Sequence, residues 1–179
     1  DPAYYWFYAH HLRWTYADAP PLIAFVTWLG ITVFGSHNAT INFLGLSSIL
    51  MTAWFLYLLA KSMFNKNIAR IAVLIFLLTP TTLHYYFRLR WGYNNLILVF
   101  SMMATYFFYQ AGKTKSPRYF YFTALSLAAG FLSQLTGMTL ILTLFIPLVF
   151  LPSYRAFFKN KHFYFYYISA QHDFVVLLP

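Results

Sequence analysis

Apolar runs alternate with short polar connections along most of the chain. The run 41–63 is long enough to cross a membrane, because a span needs about 20 apolar residues, and further apolar runs follow it. We therefore predict helices over 41–63, 69–87, 96–111, 119–132 and 138–151, with Pro80 as a kink near the end of the second. The last apolar segment, 163–168, is too short to span and predicts a truncated helix or irregular chain.

The first 34 residues show a different pattern. Residues 1–14 predict a short helix with Asp1 as N-cap and Pro2 at its first position. Its tyrosines and tryptophans favour the lipid headgroup level, so we expect it to lie along the membrane interface. Residues 22–34 form an apolar run too short to cross, which predicts a re-entrant or interfacial helix after Pro20 and Pro21.

Composition places the whole chain in a membrane. Of 179 residues, 61% are hydrophobic and 8% are charged, whereas a soluble domain is about one quarter charged. The absence of cysteine excludes disulfides and thiolate metal sites. Because the chain starts with Asp and shows no basic stretch before an apolar one, we expect no signal peptide and at least one helix upstream in a longer protein.

The net charge of +9 reflects topology and does not indicate nucleic-acid binding. The basic residues form no continuous stripe, and nine of the twelve fall in three short loops that alternating helices put on one side of the membrane. That side is predicted to be cytoplasmic, and its residues are Lys61, Lys66, Arg70, Lys113, Lys115, Arg118, Arg155, Lys159 and Lys161. The others, Arg13, Arg88 and Arg90, fall on the opposite side together with Asp1 and Asp18.

The charges on this outer side suit a substrate that is part lipid, part anion and part sugar. Arginine binds phosphate oxygens with a planar fork of donors, and a carboxylate can deprotonate a hydroxyl. Structural roles are open beside each functional one: a helix cap for Asp1, an Asx-turn for Asp18, and snorkelling to the interface for the two arginines 88 and 90. A divalent metal held with Asp18 also stays open, although the adjacent His10 and His11 point about 100° apart on a helix and make poor co-ligands.

Four stretches, in order, resemble one family. Residues 1–6 (DPAYYW) with 16–22 (YADAPPL) are similar to the first outer loop of the protein O-mannosyltransferase and aminoarabinose transferase superfamily, and 88–98 (RLRWGYNNLIL) to its second. Residues 130–136 (GFLSQLT) resemble its Gly-Leu-Leu-Ser-Lys-Tyr-Thr segment, and 170–174 (AQHDF) its Asn-Ala-Gln-His-Asp-Trp stretch. The resemblance implies an all-α, polytopic transmembrane protein with the C-type glycosyltransferase fold, of which this chain is the N-terminal portion.

The resemblance also implies the activity. Members transfer a sugar from a polyprenyl-phosphate donor to a lipid or protein acceptor, with the first-loop aspartate as base or acceptor-orienting group, and this maps to Asp1. Asp18 would support the acceptor or a metal, and Arg88 and Arg90 would hold the donor phosphate. The remaining substrate-binding candidates are two tyrosines for the sugar and one amide for hydrogen bonding: Tyr4, Tyr16 and Asn94.

The chain departs from the family pattern at several positions. Where the family usually has Asp-Glu, this chain has Asp1-Pro2, and Ala19 replaces the family's usual residue before the double proline. Gln134 stands in place of the lysine of the Ser-Lys-Tyr-Thr segment, and the acidic residue of the second outer loop is absent. Because of these losses, an alternative stays open: the chain could be a catalytically inactive homologue that acts as an assembly partner. A lipid or solute transporter is a further alternative, which predicts charges at mid-membrane depth, where this chain has almost none.

We therefore expect an integral membrane glycosyltransferase. Residues 1–40 would form an outer loop carrying the active-site acids, and residues 41–179 a helical bundle in contact with membrane lipid. We expect it in the bacterial inner membrane with its site facing the periplasm or exterior.

Overall fold

The computed structural model describes residues 2–13, 16, 21–83 and 91–150. Every regular element in these ranges is an α-helix, which confirms the all-α class. The helices are α1 (Pro2–His10), α2 (Leu22–Phe34), α3 (Asn38–Met63), α4 (Lys66–Leu78), α5 (Tyr93–Thr114), α6 (Pro117–Ser133) and α7 (Gly137–Phe150). The predicted segment 163–168 lies outside the described residues, and the division of the chain at residue 40 stays a prediction.

The helix α1 is shorter than predicted, since it ends at His10 and not at residue 14. The amide of His11 donates to Tyr8 O at 3.1 Å, a tight closing turn. The chain then folds back, and the Tyr16 hydroxyl contacts the backbone at the end of the helix. These contacts satisfy terminal backbone groups that continued helix would otherwise have satisfied.

The helix α2 confirms its predicted bounds, 22–34. It ends because Gly35 adopts φ 84°, a conformation that favours glycine, and the Gly35 amide donates to Ile31 O. The next helix, α3, has 26 residues and begins three residues earlier than predicted. Among the described helices, it alone is long and apolar enough to cross a membrane by length and composition.

The helix predicted over 69–87 with a kink at Pro80 is interrupted there, and its residues 84–87 lie outside the described residues. The helix α4 begins at Lys66, where Asn65 Oδ1 accepts a hydrogen bond from the amide of Ile68 at 2.9 Å. It ends at Leu78 because Thr79 is extended, with ψ 139°. A residue before proline is disfavoured in the helical region, so Pro80 breaks the helix where we expected a kink. A short helical turn follows at 80–83.

The last three helices form a continuous antiparallel unit. The helix α5 extends three residues beyond its prediction at each end, and α6 and α7 lie within two residues of theirs. Lys115, in the left-handed conformation, ends α5, and Pro117 opens α6. A Cβ on Gly137 would lie 2.8 Å from the backbone of Gly130, so glycine at 137 permits a close approach of α6 and α7.

Packing joins the helices into one bundle. The helices α3, α5 and α6 are central: α3 contacts α4 and α5, α5 contacts α6 and α7, and α2 contacts α1, α3 and α6. One buried core lies between α5, α6 and α7 around Ala104, Phe108 and Leu144. A second, which we call the Trp91 cluster, consists of Tyr5, Ile23, Ile41, Trp91 and Leu96.

The opposite end of the bundle is built around Ser62, in the last turn of α3. Its carbonyl accepts from Tyr109 Oη at 3.2 Å and from Lys113 Nζ at 3.3 Å, and its Oγ accepts from Gln110 Nε2 at 3.0 Å. This end, the Ser62 end, therefore brings together the first two of the three predicted basic loops. The third, 155–161, lies outside the described residues.

The outer surface of the bundle is apolar. Large side chains on α3, α4, α6 and α7 are more than half exposed, including Trp54, Ile75, Leu125 and Phe150. A water-soluble monomer does not expose apolar surface on several faces. This surface fits the hydrocarbon of a bilayer, as the composition predicts.

Candidate functional site

The structure describes only part of the predicted site. Tyr16 and Asn94 are described in full, and Tyr4 is described as backbone within α1. The predicted charged residues, Asp1, Asp18, Arg88 and Arg90, lie outside the described residues, so their roles stay predictions. The geometry that follows is that of the residues flanking them.

A buried hydrogen bond joins the two regions that carry these charges. Trp91 Nε1 donates to Thr27 Oγ1 at 2.7 Å, across 64 residues of sequence. Trp91 is 3% exposed and Thr27 is 0% exposed. The Thr27 hydroxyl in turn donates to Ile23 O at 2.7 Å, so this hydroxyl both accepts and donates a hydrogen bond. The start of α2 is thereby fixed to the residue that precedes Gly92.

The first helix contacts the same place. A Cβ built on Gly92 would lie 3.5 Å from Tyr5 Cε2 and 3.9 Å from Tyr5 Oη, which are ordinary contact distances. One residue further along α1, Trp6 Nε1 donates to Ser36 Oγ at 2.8 Å. The structure therefore brings α1, α2 and the chain before α5 together at one end of the bundle.

The Tyr16 hydroxyl is engaged with backbone. It accepts from the amide of Arg13 at 3.0 Å and lies 3.3 Å from Tyr8 O and 3.1 Å from His11 O, either of which can take its proton. The ring stacks on Tyr8 with centroids 4.1 Å apart. These contacts give Tyr16 a structural role in ending α1, and its predicted sugar contact stays a prediction.

Asn94 lines an open pocket between α3, the end of α4 and the start of α5. The pocket is small: its cavity volume is about 20 Å³, which is room for about one water molecule. Five hydroxyl or amide residues and three larger apolar residues line it, but the surface that they expose to the pocket is almost wholly apolar: Ser48, Thr52, Thr82, Asn94 and Asn95, with Ile49, Phe76 and Leu98. None of these residues carries a formal charge.

The sequence analysis did not select the hydroxyl side of this pocket. Ser48 and Thr52 lie four residues apart in α3, so they share one helix face. Ser48 Oγ donates to Gly45 O at 2.6 Å and Thr52 Oγ1 donates to Ser48 O at 2.9 Å. Polar residues on one face of a long, mostly apolar helix were the available signal, because a polar group in a membrane span is costly unless it has a partner or a function.

Gln134, where the family pattern has lysine, ends α6. Its backbone N–H donates to Gly130 O at 3.1 Å. Its side-chain Oε1 is buried without a hydrogen-bond partner among the described residues. The adjacent Ser133 is fully buried and donates to Ala129 O at 2.7 Å. Gly130 packs on α5, since a Cβ built on it would lie 3.4 Å from Ile97 Cδ1. This motif therefore lies beside the start of α5.

His10, at the end of α1, and His11, directly after it, both make aromatic contacts. His10 packs against Trp6 with ring centroids 4.3 Å apart, and His11 stacks on Phe7 at 4.7 Å. Within the described part of the chain, no three His, Cys, Asp or Glu side chains are grouped to hold a metal ion. A divalent metal at Asp18 stays a prediction.

Comparison with known proteins gives the family. No curated protein and no solved structure matches the chain. The model of the family described as dolichyl-phosphate-mannose-protein mannosyltransferase matches residues 18–177, which is most of the chain. That range contains α2 to α7 and the second, third and fourth stretches of the sequence resemblance. The chain belongs to the dolichyl-phosphate-mannose-protein mannosyltransferase family.

Proposed function

We propose that the protein transfers a sugar from a polyprenyl-phosphate donor to a hydroxyl or phosphate of a lipid or protein acceptor. Membership in a mannosyltransferase family supports the reaction class. The helical bundle with its apolar outer surface supports a donor that reaches the protein through the bilayer.

In this proposal Asp1 is the base that orients and deprotonates the acceptor, and Asp18 supports the acceptor or a metal. A general base of this kind contributes about 10²–10⁴-fold to the rate. Arg88 and Arg90 bind the donor phosphate, since guanidinium groups make paired, charge-assisted hydrogen bonds to phosphate oxygens.

The observation that carries the proposal is the Trp91 cluster. Its member Tyr5 follows Asp1 by four residues, Ile23 follows Asp18 by five, and Trp91 directly follows Arg90. A chain spans at most about 3.6 Å per residue, so the connecting stretches tether each acid within roughly 18 Å of the cluster. The contact between two regions that are 64 residues apart supports a proposal in which both contribute charges to one site.

Charge supports the orientation. The basic residues of the first two loops collect at the Ser62 end, opposite the Trp91 cluster. By the excess of lysine and arginine in cytoplasmic loops, the Ser62 end faces the cytoplasm and the proposed site faces the exterior or periplasm of a bacterial inner membrane.

The test is a transfer assay on the full chain in membranes, with radiolabelled sugar on polyprenyl phosphate. We expect Asp1→Asn to lower transfer by about 100-fold or more while donor binding persists. Arg90→Gln and Arg88→Gln should weaken donor binding. Arg118→Gln, the same change at an exposed arginine at the start of α6, is the control and should have no effect.

Three results would contradict parts of the proposal. Unchanged transfer in Asp1→Asn would reduce Asp1 to a helix cap and move the base to Asp18. Equal losses in Arg118→Gln and Arg90→Gln would show an effect of net charge and not of phosphate binding. Absence of transfer with every lipid-linked donor, together with a stable complex with another envelope protein, would favour the inactive homologue.

A further inference from the structure

The Ser62 end of the bundle carries positive charge that no described residue neutralises. Four of its exposed cations lie around the turn between α3 and α4, and we call them the Lys61 patch: Lys61 in the last turn of α3, Lys66 and Arg70 in α4, and Lys113 in the last turn of α5. The chain has no aspartate or glutamate between residues 19 and 172. The described bundle therefore supplies no carboxylate to any of the four.

Hydrogen bonding and spacing along the chain place these cations near one another. Lys113 Nζ donates to Ser62 O at 3.3 Å, which brings the cation of α5 to the residue after Lys61. Lys66 and Arg70 are four residues apart in α4, so they share a helix face and lie about 6 Å apart along its axis. Like charges at such spacing repel one another, and an anion bound among them would relieve the repulsion.

Membrane topology explains the lysines and arginines at this end but not the missing acids. The orientation of a membrane protein follows the number of lysine and arginine residues in its short loops, and aspartate and glutamate have little influence on it. Acidic residues beside these cations would therefore leave the orientation unchanged and would reduce the repulsion between the cations. Their absence leaves the Lys61 patch with an uncompensated positive charge, which suits an anionic ligand.

The contacts of Lys61 place its charge beside the lipid-facing surface. Its ammonium lies over the ring of Tyr57, 5.9 Å from the centroid, one helical turn closer to the middle of α3. The Tyr57 ring lies 6.3 Å from that of Trp54, which is 61% exposed. Tyrosine and tryptophan favour the level of the lipid headgroups. Leu50 follows on the same face and is also exposed, so this face presents a cation, then amphipathic rings, then an aliphatic side chain.

The exposed face of α4 has the same order. Lys66 and Arg70 come first, and the residues that follow at the same four-residue spacing, Leu74 and Leu78, are apolar and more than half exposed. A phospholipid carries its phosphate and its acyl chains in this order from the membrane surface inward. A soluble anion or an acidic protein would use only the charged part of each face, so the combination favours a lipid.

We propose that the Lys61 patch binds an anionic phospholipid. Lys61 holds the lipid phosphate, the other three cations of the patch attract it through their charge, and the acyl chains lie along the exposed apolar side chains of α3 and α4. The site is at the Ser62 end, opposite the Trp91 cluster, and the inference goes beyond the proposed sugar transfer. The lipid is a bound component of the bundle and not a substrate.

The test is equilibrium binding of a fluorescent phosphatidylglycerol to the full chain in micelles of an uncharged detergent. We expect the wild type to bind this probe more tightly than the same probe with a phosphatidylcholine headgroup, in which choline balances the phosphate charge. Lys61→Gln should lower the affinity for phosphatidylglycerol about fivefold, the contribution of one basic residue near an anionic lipid surface. Lys66→Gln should lower it by a smaller factor. Neither ammonium group hydrogen-bonds to a described residue, so both variants should keep the melting temperature of the wild type.

The matched control is Arg13→Gln, which removes an exposed cation at the opposite end of the bundle. It lowers the net charge by the same amount as Lys61→Gln and should leave the affinity for phosphatidylglycerol unchanged. Lys61→Arg keeps the positive charge and should retain binding. Glycerophosphate has the phosphate without the acyl chains, so it should not displace the fluorescent lipid.

Three outcomes would overturn the inference. Equal losses of affinity in Arg13→Gln and Lys61→Gln would show an effect of net charge and not of a site. Equal binding of the two probes by the wild type would show that the patch does not select an anion. Displacement of the probe by glycerophosphate as readily as by unlabelled phosphatidylglycerol would assign the patch to a soluble phosphate. None of these outcomes bears on the proposed sugar transfer, because the assay contains no sugar donor.

Discussion

The hydrogen bond between Trp91 and Thr27 should contribute more to the stability of the fold than an exposed hydrogen bond of the same length. Thr27→Val keeps the shape of the side chain and removes the only acceptor that the structure shows for Trp91 Nε1. Because Trp91 is 3% exposed, the indole N–H cannot turn to bulk water. An unsatisfied buried donor costs about 1–3 kcal/mol, so we expect Thr27→Val to lower the free energy of unfolding by that amount.

A double-mutant cycle isolates this contribution. In a Trp91→Phe background the indole N–H is absent, so adding Thr27→Val should cost much less than it does in the wild type. The difference, the coupling energy, should be about 1–2 kcal/mol. Thr32→Val is the matched control within the same helix, since Thr32 is exposed and donates only to Trp28 O at 2.9 Å.

The assay is reversible unfolding in detergent micelles, followed by circular dichroism over a denaturant series. Sugar transfer measured on the same variants reports whether the contact also positions the proposed site. Equal costs of Thr27→Val in the wild type and in Trp91→Phe would refute the reasoning. A cost for Thr32→Val as large as that for Thr27→Val would do so as well.

Further predictions concern the turns of the bundle. Gly35→Ala should cost about 1–2 kcal/mol because φ is 84°, while Gly92→Ala, in extended backbone with ordinary contacts, should be tolerated; melting temperatures test both. Tyr16→Phe should lose about 1 kcal/mol with the ring stack retained, measurable by thermal unfolding. Gly137→Ala should separate α6 from α7 at Gly130 and raise amide exchange at that turn, and unchanged exchange would contradict the close approach.

The sequence predicted helix boundaries correctly where a local residue, such as proline or glycine, sets the end of the helix. The start of α2 after Pro21 and its end at Gly35 follow from local backbone preferences, and both appear as predicted. At α4 the prediction failed because the apolar pattern continues past Thr79, whereas the helical backbone conformation ends there. Proline restricts the residue before it, and that restriction outweighed the apolar pattern.

The site was less accessible to sequence reasoning. Charges stand out in an apolar chain, so Asp1, Asp18 and the two arginines were visible as candidates from composition alone. The Thr27–Trp91 contact and the pocket that Asn94 lines depend on which faces of α2, α3 and α5 meet. Spacing within one helix shows which residues share a face, but the partner of that face is set by tertiary packing.

The two ends of α5 have a mechanical consequence. At the Ser62 end, Tyr109, Gln110 and Lys113 bind α3, and at the other end the preceding Trp91 binds α2. A helix anchored at both ends resists tilting, so α5 fixes the positions of α2 and α3 relative to each other. The half-length α4 packs on α3, exposes Leu74, Ile75 and Leu78, and contributes Phe76 to the pocket. Within the described bundle, α4 is thus held mainly by packing on one neighbour, whereas α5 is held by hydrogen bonds at both ends.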